Sequence, residues 1–154
     1  MKFFHNIKLS VIIKPEESNF TESKVKELFE KVSGLDLSKD KIKFNKEIVE
    51  GFDQRKISIY SIELIKENHT NRFIDSILLQ IGKKQITKIL EQLDSRVDEN
   101  LKFYLRLDKN KILDNIYEVI ESGNCLHITM SVAAFPKNIV VAKSIVSKVL
   151  SERL

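Results

Sequence analysis

The sequence predicts an α+β protein in two layers, a mainly antiparallel sheet with its helices packed on one face. Three observations lead there. Apolar residues recur with a period of two in several separate stretches; in the clearest, Leu101, Phe103, Leu105 and Leu107 alternate with Lys102, Tyr104 and Arg106. Between these stretches the period lengthens to that of a helix, giving the order β-α-β-β-α-α-β-α-β-α. The strands are mostly apolar on one side only, whereas a parallel sheet covered on both faces needs near-continuous apolar strands.

The first strand is expected from about Ile7 to Ile13, with Pro15 just outside it, where a missing N–H does no harm. A helix follows from about Thr21 to Ser33, striped by Val25, Leu28, Phe29 and Val32. Asn19 or Thr21 can cap its start and Gly34 can end it. Two strands come next, Lys41–Val49 and Arg55–Lys66, joined by a hairpin loop over Glu50–Gln54. In the second of them the apolar parity switches between Ile59 and Ile62, which a β-bulge near Tyr60 or Ser61 would explain.

The middle of the chain is helical. Phe73, Ile74, Ile77, Leu78 and Ile81 form one stripe, Gly82 breaks it, and Ile86, Ile89, Leu90 and Leu93 form another. A polar loop, Asp94–Glu99, leads to the strand Asn100–Asp108. Asp108 then caps a short helix whose buried side carries Ile112, Ile116 and Ile120. The last strand, Cys125–Phe135, alternates Leu126, Ile128, Met130 and Val132 with His127, Thr129 and Ser131. Pro136 closes it, and Asn138 caps a final helix burying Ile139, Ala142, Ile145, Val146 and Val149.

At 154 residues the chain suits one domain, 1–154, burying roughly two-thirds of its unfolded surface. With 42% hydrophobic and 31% charged residues it reads as an ordinary soluble globular protein. Lys+Arg of 26 against Asp+Glu of 22 gives +4, a mildly basic balance that permits a polyanionic partner without requiring one. The lone Cys125 allows no intrachain disulfide or cysteine metal cage, so a reducing, cytoplasmic setting is expected. Abundant Lys and Glu suit a thermophile, although an AT-rich genome gives a similar bias. The first ten residues lack the apolar run of a signal peptide, and no segment nears the roughly 20 apolar residues of a membrane span.

Enzymatic motifs are missing. There is no phosphate-cradling glycine loop, and His5, His69 and His127 lie on separate elements without metal-ligand spacing, so neither cofactor nor metal is expected. Cys125 reads as a small residue at a loop boundary. Asp94, Asp98 and Glu99 read as a solvated loop without apolar neighbours to shift their pKa.

If helices cover one face, the polar parity of each strand tells what the other displays. That face would carry Lys8 and Ser10; Lys56 and Ser58, with Tyr60 if the bulge lies beyond it; Lys102, Tyr104 and Arg106; and His127, Thr129 and Ser131. It holds no acid. Cations neutralise phosphates, tyrosine rings stack on unpaired bases, and hydroxyl and imidazole groups hydrogen-bond phosphate or 2′-OH. Lys8, Lys56, Tyr60, Lys102, Tyr104, Arg106 and His127 are therefore the candidate RNA-binding residues, with no catalytic role. Other readings remain open. Exposed strands favour Lys, Arg, Thr and Tyr on propensity alone, and the same face suits a homodimer or an assembly interface.

The segment Asn100-Leu101-Lys102-Phe103-Tyr104-Leu105-Arg106-Leu107-Asp108-Lys109, followed by a short helix and His127-Ile128-Thr129-Met130-Ser131-Val132-Ala133-Ala134-Phe135-Pro136, resembles an archaeal family of small RNA-binding proteins described as predicted exosome-associated subunits. The family pattern is a Leu-x-Leu-Arg-Phe-Asp-Lys strand and an alternating strand ending in Ala-Tyr-Pro. Leu107 stands here where the pattern has Phe, and Phe135 where it has Tyr. The hairpin departs further, with Gly51-Phe52-Asp53-Gln54 in place of a Gly-Asn-Pro turn. Arg106, Asp108 and Lys109 match the motif. The resemblance implies a fold like that of the large-subunit ribosomal protein that binds the smallest ribosomal RNA. It also implies a role in RNA processing or ribosome biogenesis, with exosome or ribosomal components as partners.

Overall fold

In the computed structural model, which describes residues 1–154, the alternating stretches become five strands: β1 (Phe4–Ile13), β2 (Asn45–Glu50), β3 (Lys56–Leu64), β4 (Lys102–Asp108) and β5 (Cys125–Val132). They form one sheet in the order β2-β3-β1-β5-β4, with every neighbouring pair antiparallel. The helices are α1 (Glu22–Ser33), α2 (Glu67–Glu91), α3 (Leu93–Arg96), α4 (Lys109–Ile112) and α5 (Ile139–Ser151). β1 takes the centre and has a fully apolar inner row: Phe4, Ile7, Leu9, Val11 and Ile13 are all buried. Apart from Cys125 at the end of β5, the opposite row of the sheet is left at least partly exposed, so the helices cover one face.

Local chemistry sets the helix limits. The Thr21 hydroxyl accepts from Lys24 N (3.3 Å) at the start of α1, and Gly34 ends it in the left-handed region at φ 68°. A Cβ at Gly34 would also come within 2.8 Å of Ser76 Oγ on α2, so glycine permits the close helix approach as well as the turn. The two stripes of α2 are joined through Gly82, whose φ 80° and ψ 165° interrupt the helix. At α5, Asn138 Oδ1 accepts from Val141 N (2.9 Å), as its cap position predicts.

Four expectations are corrected. β2 begins at Asn45 instead of Lys41, because Lys41 turns at φ 55° and Ile42 N bonds back to Leu37 O (2.8 Å). Phe44 reaches the core from this loop, its ring 5.5 Å from that of Tyr60 and 6.0 Å from that of Phe29. The bulge near Tyr60 does not exist: pairing is unbroken from Ile7↔Leu64 to Ile13↔Ser58 and from Asn45↔Ser61 to Glu50↔Lys56. The sheet's register shift lies in β1, between Phe4 and Asn6. The helix after Asp108 is a single turn. Asn115 takes φ 61°, and Gln85 of α2 clamps the segment beyond it, donating to Tyr117 O (2.6 Å) and accepting from Val119 N (2.7 Å). Ile112 is consequently buried while Ile116 is exposed. Finally, β5 stops at Val132 and leaves Phe135 in solvent.

Candidate nucleic-acid interface

On the open side of β4, β5 and β1, the register stacks polar side chains in three rows. Lys102 lies across from Ser131, which lies across from Asn6; Tyr104 from Thr129 and Lys8; Arg106 from His127 and Ser10. Strand alternation fixes this arrangement, since Phe103, Leu105, Leu107, Leu126, Ile128 and Met130 are all drawn to the helix side. Lys8, Lys102 and Arg106 have no carboxylate within 4.0 Å, so their charges are free for a ligand.

The Tyr104 ring is held in place. Its hydroxyl donates to Asp98 Oδ2 at 2.6 Å, and Asp98 Oδ1 accepts from Asn100 N (2.9 Å) and Lys102 N (3.1 Å). The hydrogen bond to Asp98 pushes the Tyr104 pKa up, with some help from burial. Burial alone would raise that of Asp98, but the hydrogen bonds from Tyr104, Lys102 N and Asn100 N prevail and hold it below the usual carboxylate range. Asp94 is lowered too, by its bond with Lys143 (2.8 Å). The expected inert acidic loop is thus in part the fixture for Tyr104.

His127 is half-buried. Burial first, then neighbouring Arg106, pulls its pKa down, so the imidazole is neutral at pH 7 and offers hydrogen bonds in place of charge. Its Nε2 lies 3.4 Å from Cys125 Sγ; burial pushes that buried thiol up, away from a nucleophilic thiolate.

Two of the sequence-derived site residues lie elsewhere. Without a bulge, Tyr60 joins Ile62 and Leu64 on the helix side and is 5% exposed, where no base can stack on it. Lys56 and Ser58 share its parity; Lys56 is exposed, but at the far end of the sheet from β4. The open face of β3 carries Ile57, Ile59, Ser61 and Glu63 instead, with Glu47 of β2 across from Ile59. The face is therefore not free of acids: Glu63 sits directly across from Lys8. Its basic part is confined to the β1, β5 and β4 side.

Asp108 and Lys109 serve the fold. Asp108 Oδ1 accepts from Asn110 N (3.1 Å) and Lys111 N (3.3 Å), capping α4. Lys109 is fully buried, its Nζ 2.6 Å from Glu17 Oε2, 2.9 Å from Ile12 O and 4.9 Å from the Phe20 ring centroid. Sequence reasoning also missed Arg96, which has no periodicity to mark it. It is buried, with Nε and Nη2 donating to Gln92 Oε1 (2.9 and 2.7 Å) and Nη1 to Tyr104 O (3.4 Å). No three His, Cys, Asp or Glu side chains are grouped to hold a metal ion, and no helix is long and apolar enough to cross a membrane.

The protein is thus a small α+β protein, a one-sided antiparallel sheet whose edge strand β4 carries Lys102, Tyr104 and Arg106. The chain belongs to a family described as RNA binding, whose model matches residues 6–132. It is 26% identical over 132 residues to the RNA-binding protein PAB1135 of Pyrococcus abyssi, covering 86% of this chain and 84% of that protein. The fold resembles that of Mth689, a DUF54 protein from Methanothermobacter thermautotrophicus, at TM-score 0.76 and 24% identity, over 97% of this chain and 99% of the other. AF2318 from Archaeglobus fulgidus is similar at TM-score 0.79 and 17% identity, over 95% and 99%. All three of these similar proteins come from archaea.

Proposed function

We propose that the protein binds RNA through the β1, β5 and β4 part of its open sheet face, as a non-catalytic module. The observation that carries this reading is the edge strand β4. It presents Lys102, Tyr104 and Arg106 in one row, with both cations unpaired and the ring fixed by Asp98. Cations at alternate strand positions track a phosphate backbone while the ring between them stacks on a base. Lys8, Ser10, His127, Thr129 and Ser131 extend the surface inward with one more charge and several hydrogen-bonding groups. Lys56 and Tyr60 have no part in it. The resemblance to exosome-associated subunits adds a cytoplasmic role in RNA processing or ribosome biogenesis, with exosome or ribosomal components as protein partners. The test is Lys102→Ala with Arg106→Ala. The double variant should bind single-stranded RNA more weakly and with a flatter salt dependence, by about 0.7 in log–log slope for each phosphate no longer neutralised. Wild-type affinity and slope in that variant would place the RNA elsewhere.

A second reading has its own observation. The other half of the same face leaves Ile12, Ile57, Ile59 and Val49 at least partly exposed next to one another, an apolar patch suited to a second copy of the chain. It predicts a dimer in light scattering that Ile59→Lys dissociates. A monomer at high concentration removes this reading.

A further inference from the structure

Along the outer side of β4, α2, α3 and residues 118–121 wall a groove made of two adjoining hollows of about 220 and 250 Å³. The two share Gln92, Arg96 and Glu121. Arg96 is only 8% exposed, yet it has no carboxylate within 4.0 Å; its hydrogen bonds go to the Gln92 amide and the Tyr104 carbonyl, both neutral. A guanidinium cannot shed its proton, and buried charges are ordinarily paired. Arg106 borders the same groove and also lacks a carboxylate, donating to the Glu121 carbonyl oxygen at 3.2 Å. Burial pulls the pKa of Arg96 down, the Glu121 carboxylate opposes that, and Arg106 adds to it.

Cations outnumber the one carboxylate lining the groove that has no ion pair, that of Glu121. Lys84 and Lys88 on α2 line the first hollow, exposed and unpaired. Glu118 is committed to Lys111, and Glu121 Oε1 accepts from Gln92 Nε2 at 3.1 Å. Two arginines that face one groove and donate to neutral acceptors leave a gap in the charge pattern that an anion fits.

We propose that this groove is a phosphate subsite, in which Arg96 and Arg106 grip one phosphate of the RNA that lies on the adjoining sheet face and Lys84 and Lys88 line its approach. The ligand's identity rests on the sheet-face reading; the existence of an anion site does not. Arg106 belongs to both surfaces, so a strand crossing the sheet would pass over the edge of β4 into the groove.

The test monitors the arginine Nε–H resonances of the 15N-labelled full chain, assigned with Arg96→Lys and Arg106→Lys. Sodium phosphate is titrated against sodium chloride at matched ionic strength. The proposal expects saturable shifts of both resonances with phosphate alone, and several-fold weaker phosphate binding in Lys84→Ala with Lys88→Ala, which alters only exposed side chains. A single-stranded RNA should move the same two resonances, and Arg96→Lys should weaken RNA binding while Arg96-independent contacts persist. If phosphate shifts neither resonance more than chloride does, the anion site is refuted, whether or not RNA binds the sheet. If phosphate binds there but bound RNA leaves both resonances unmoved, the groove holds free anions, and its assignment to RNA is refuted while the sheet-face reading stands. If no RNA binds at all, the sheet-face reading fails, and with it the RNA assignment of the groove.

Discussion

Replacing Lys109 with Met removes a buried ammonium while keeping most of the side-chain volume. Three interactions go: the ion pair with Glu17 (2.6 Å), the hydrogen bond to Ile12 O (2.9 Å) and the cation over Phe20. Removing one partner of a buried pair costs about 3–5 kcal/mol, because the other charge is left uncompensated. The lower end applies here. The Glu17 side chain is 14% exposed and keeps hydrogen bonds from Lys14 N (3.0 Å) and Asn124 Nδ2 (2.8 Å). A loss of about 3 kcal/mol corresponds to a fall in Tm of roughly 6–12 °C for a chain of this size. Thermal and urea unfolding monitored by circular dichroism measure it. Adding Glu17→Gln neutralises the orphaned carboxylate, so the double variant should be more stable than Lys109→Met alone. RNA affinity of the folded variant should match wild type, since Lys109 is out of reach of any ligand. A single variant within about 0.5 kcal/mol of wild type, or a double variant less stable than the single, would refute the reasoning.

Other positions are equally open to measurement. Gly82→Ala should cost about 1–3 kcal/mol although a Cβ there meets nothing within 4 Å, because φ 80° with ψ 165° is essentially reserved for glycine; unchanged urea stability would show that the helix can pass straight through this position. Burial favours the neutral form of Glu17, but hydrogen bonds from Lys109, Lys14 N and Asn124 outweigh it and lower the folded pKa. The stability this gives is complete above the ordinary carboxylate pKa of about 4.3 and lost as pH falls through the folded value, so wild type should lose stability across that acid window more steeply than Glu17→Gln. Tyr60→Ala should destabilise by about 3 kcal/mol in urea unfolding and spare RNA affinity. Tyr104→Ala should instead weaken RNA binding in a titration, by about 1–3 kcal/mol if its ring stacks on a base.

The parts of this fold that rest on local rules could be read in the sequence. Period-two alternation located β4 and β5, and single residues such as Thr21, Gly34, Gly82 and Asn138 marked helix limits that the structure keeps. Failure came where both rows of a strand are apolar. In β3, Ile57 and Ile59 compete with Ile62 and Leu64 for the core, and only pairing with Leu9, Val11 and Ile13 settles that Tyr60 goes inward. The inferred bulge and the placement of Tyr60 and Lys56 stem from that one ambiguity; Glu63, between the inward Ile62 and Leu64, faces outward with or without a bulge. Lys109 and Arg96 were illegible for another reason. A charged residue is buried through partners distant in sequence or on a backbone not yet placed, and periodicity carries no information on either.

The central position of β1 bears on how the chain is made. Ile7 pairs on one side with Leu64 and on the other with Met130, so β1 has to wait for β5, the last strand of the sheet in chain order. Pairings this distant slow folding relative to local ones. During synthesis β2, β3, α1 and α2 can gather on one flank of β1 while its other edge stays open, a template for another chain to add to. A chain stopped after Asn124 should therefore aggregate, visible in light scattering, where one completed to α5 stays dispersed. For a cell making this protein, the hazardous interval is the time the ribosome takes to travel from the end of β3 to the end of β5.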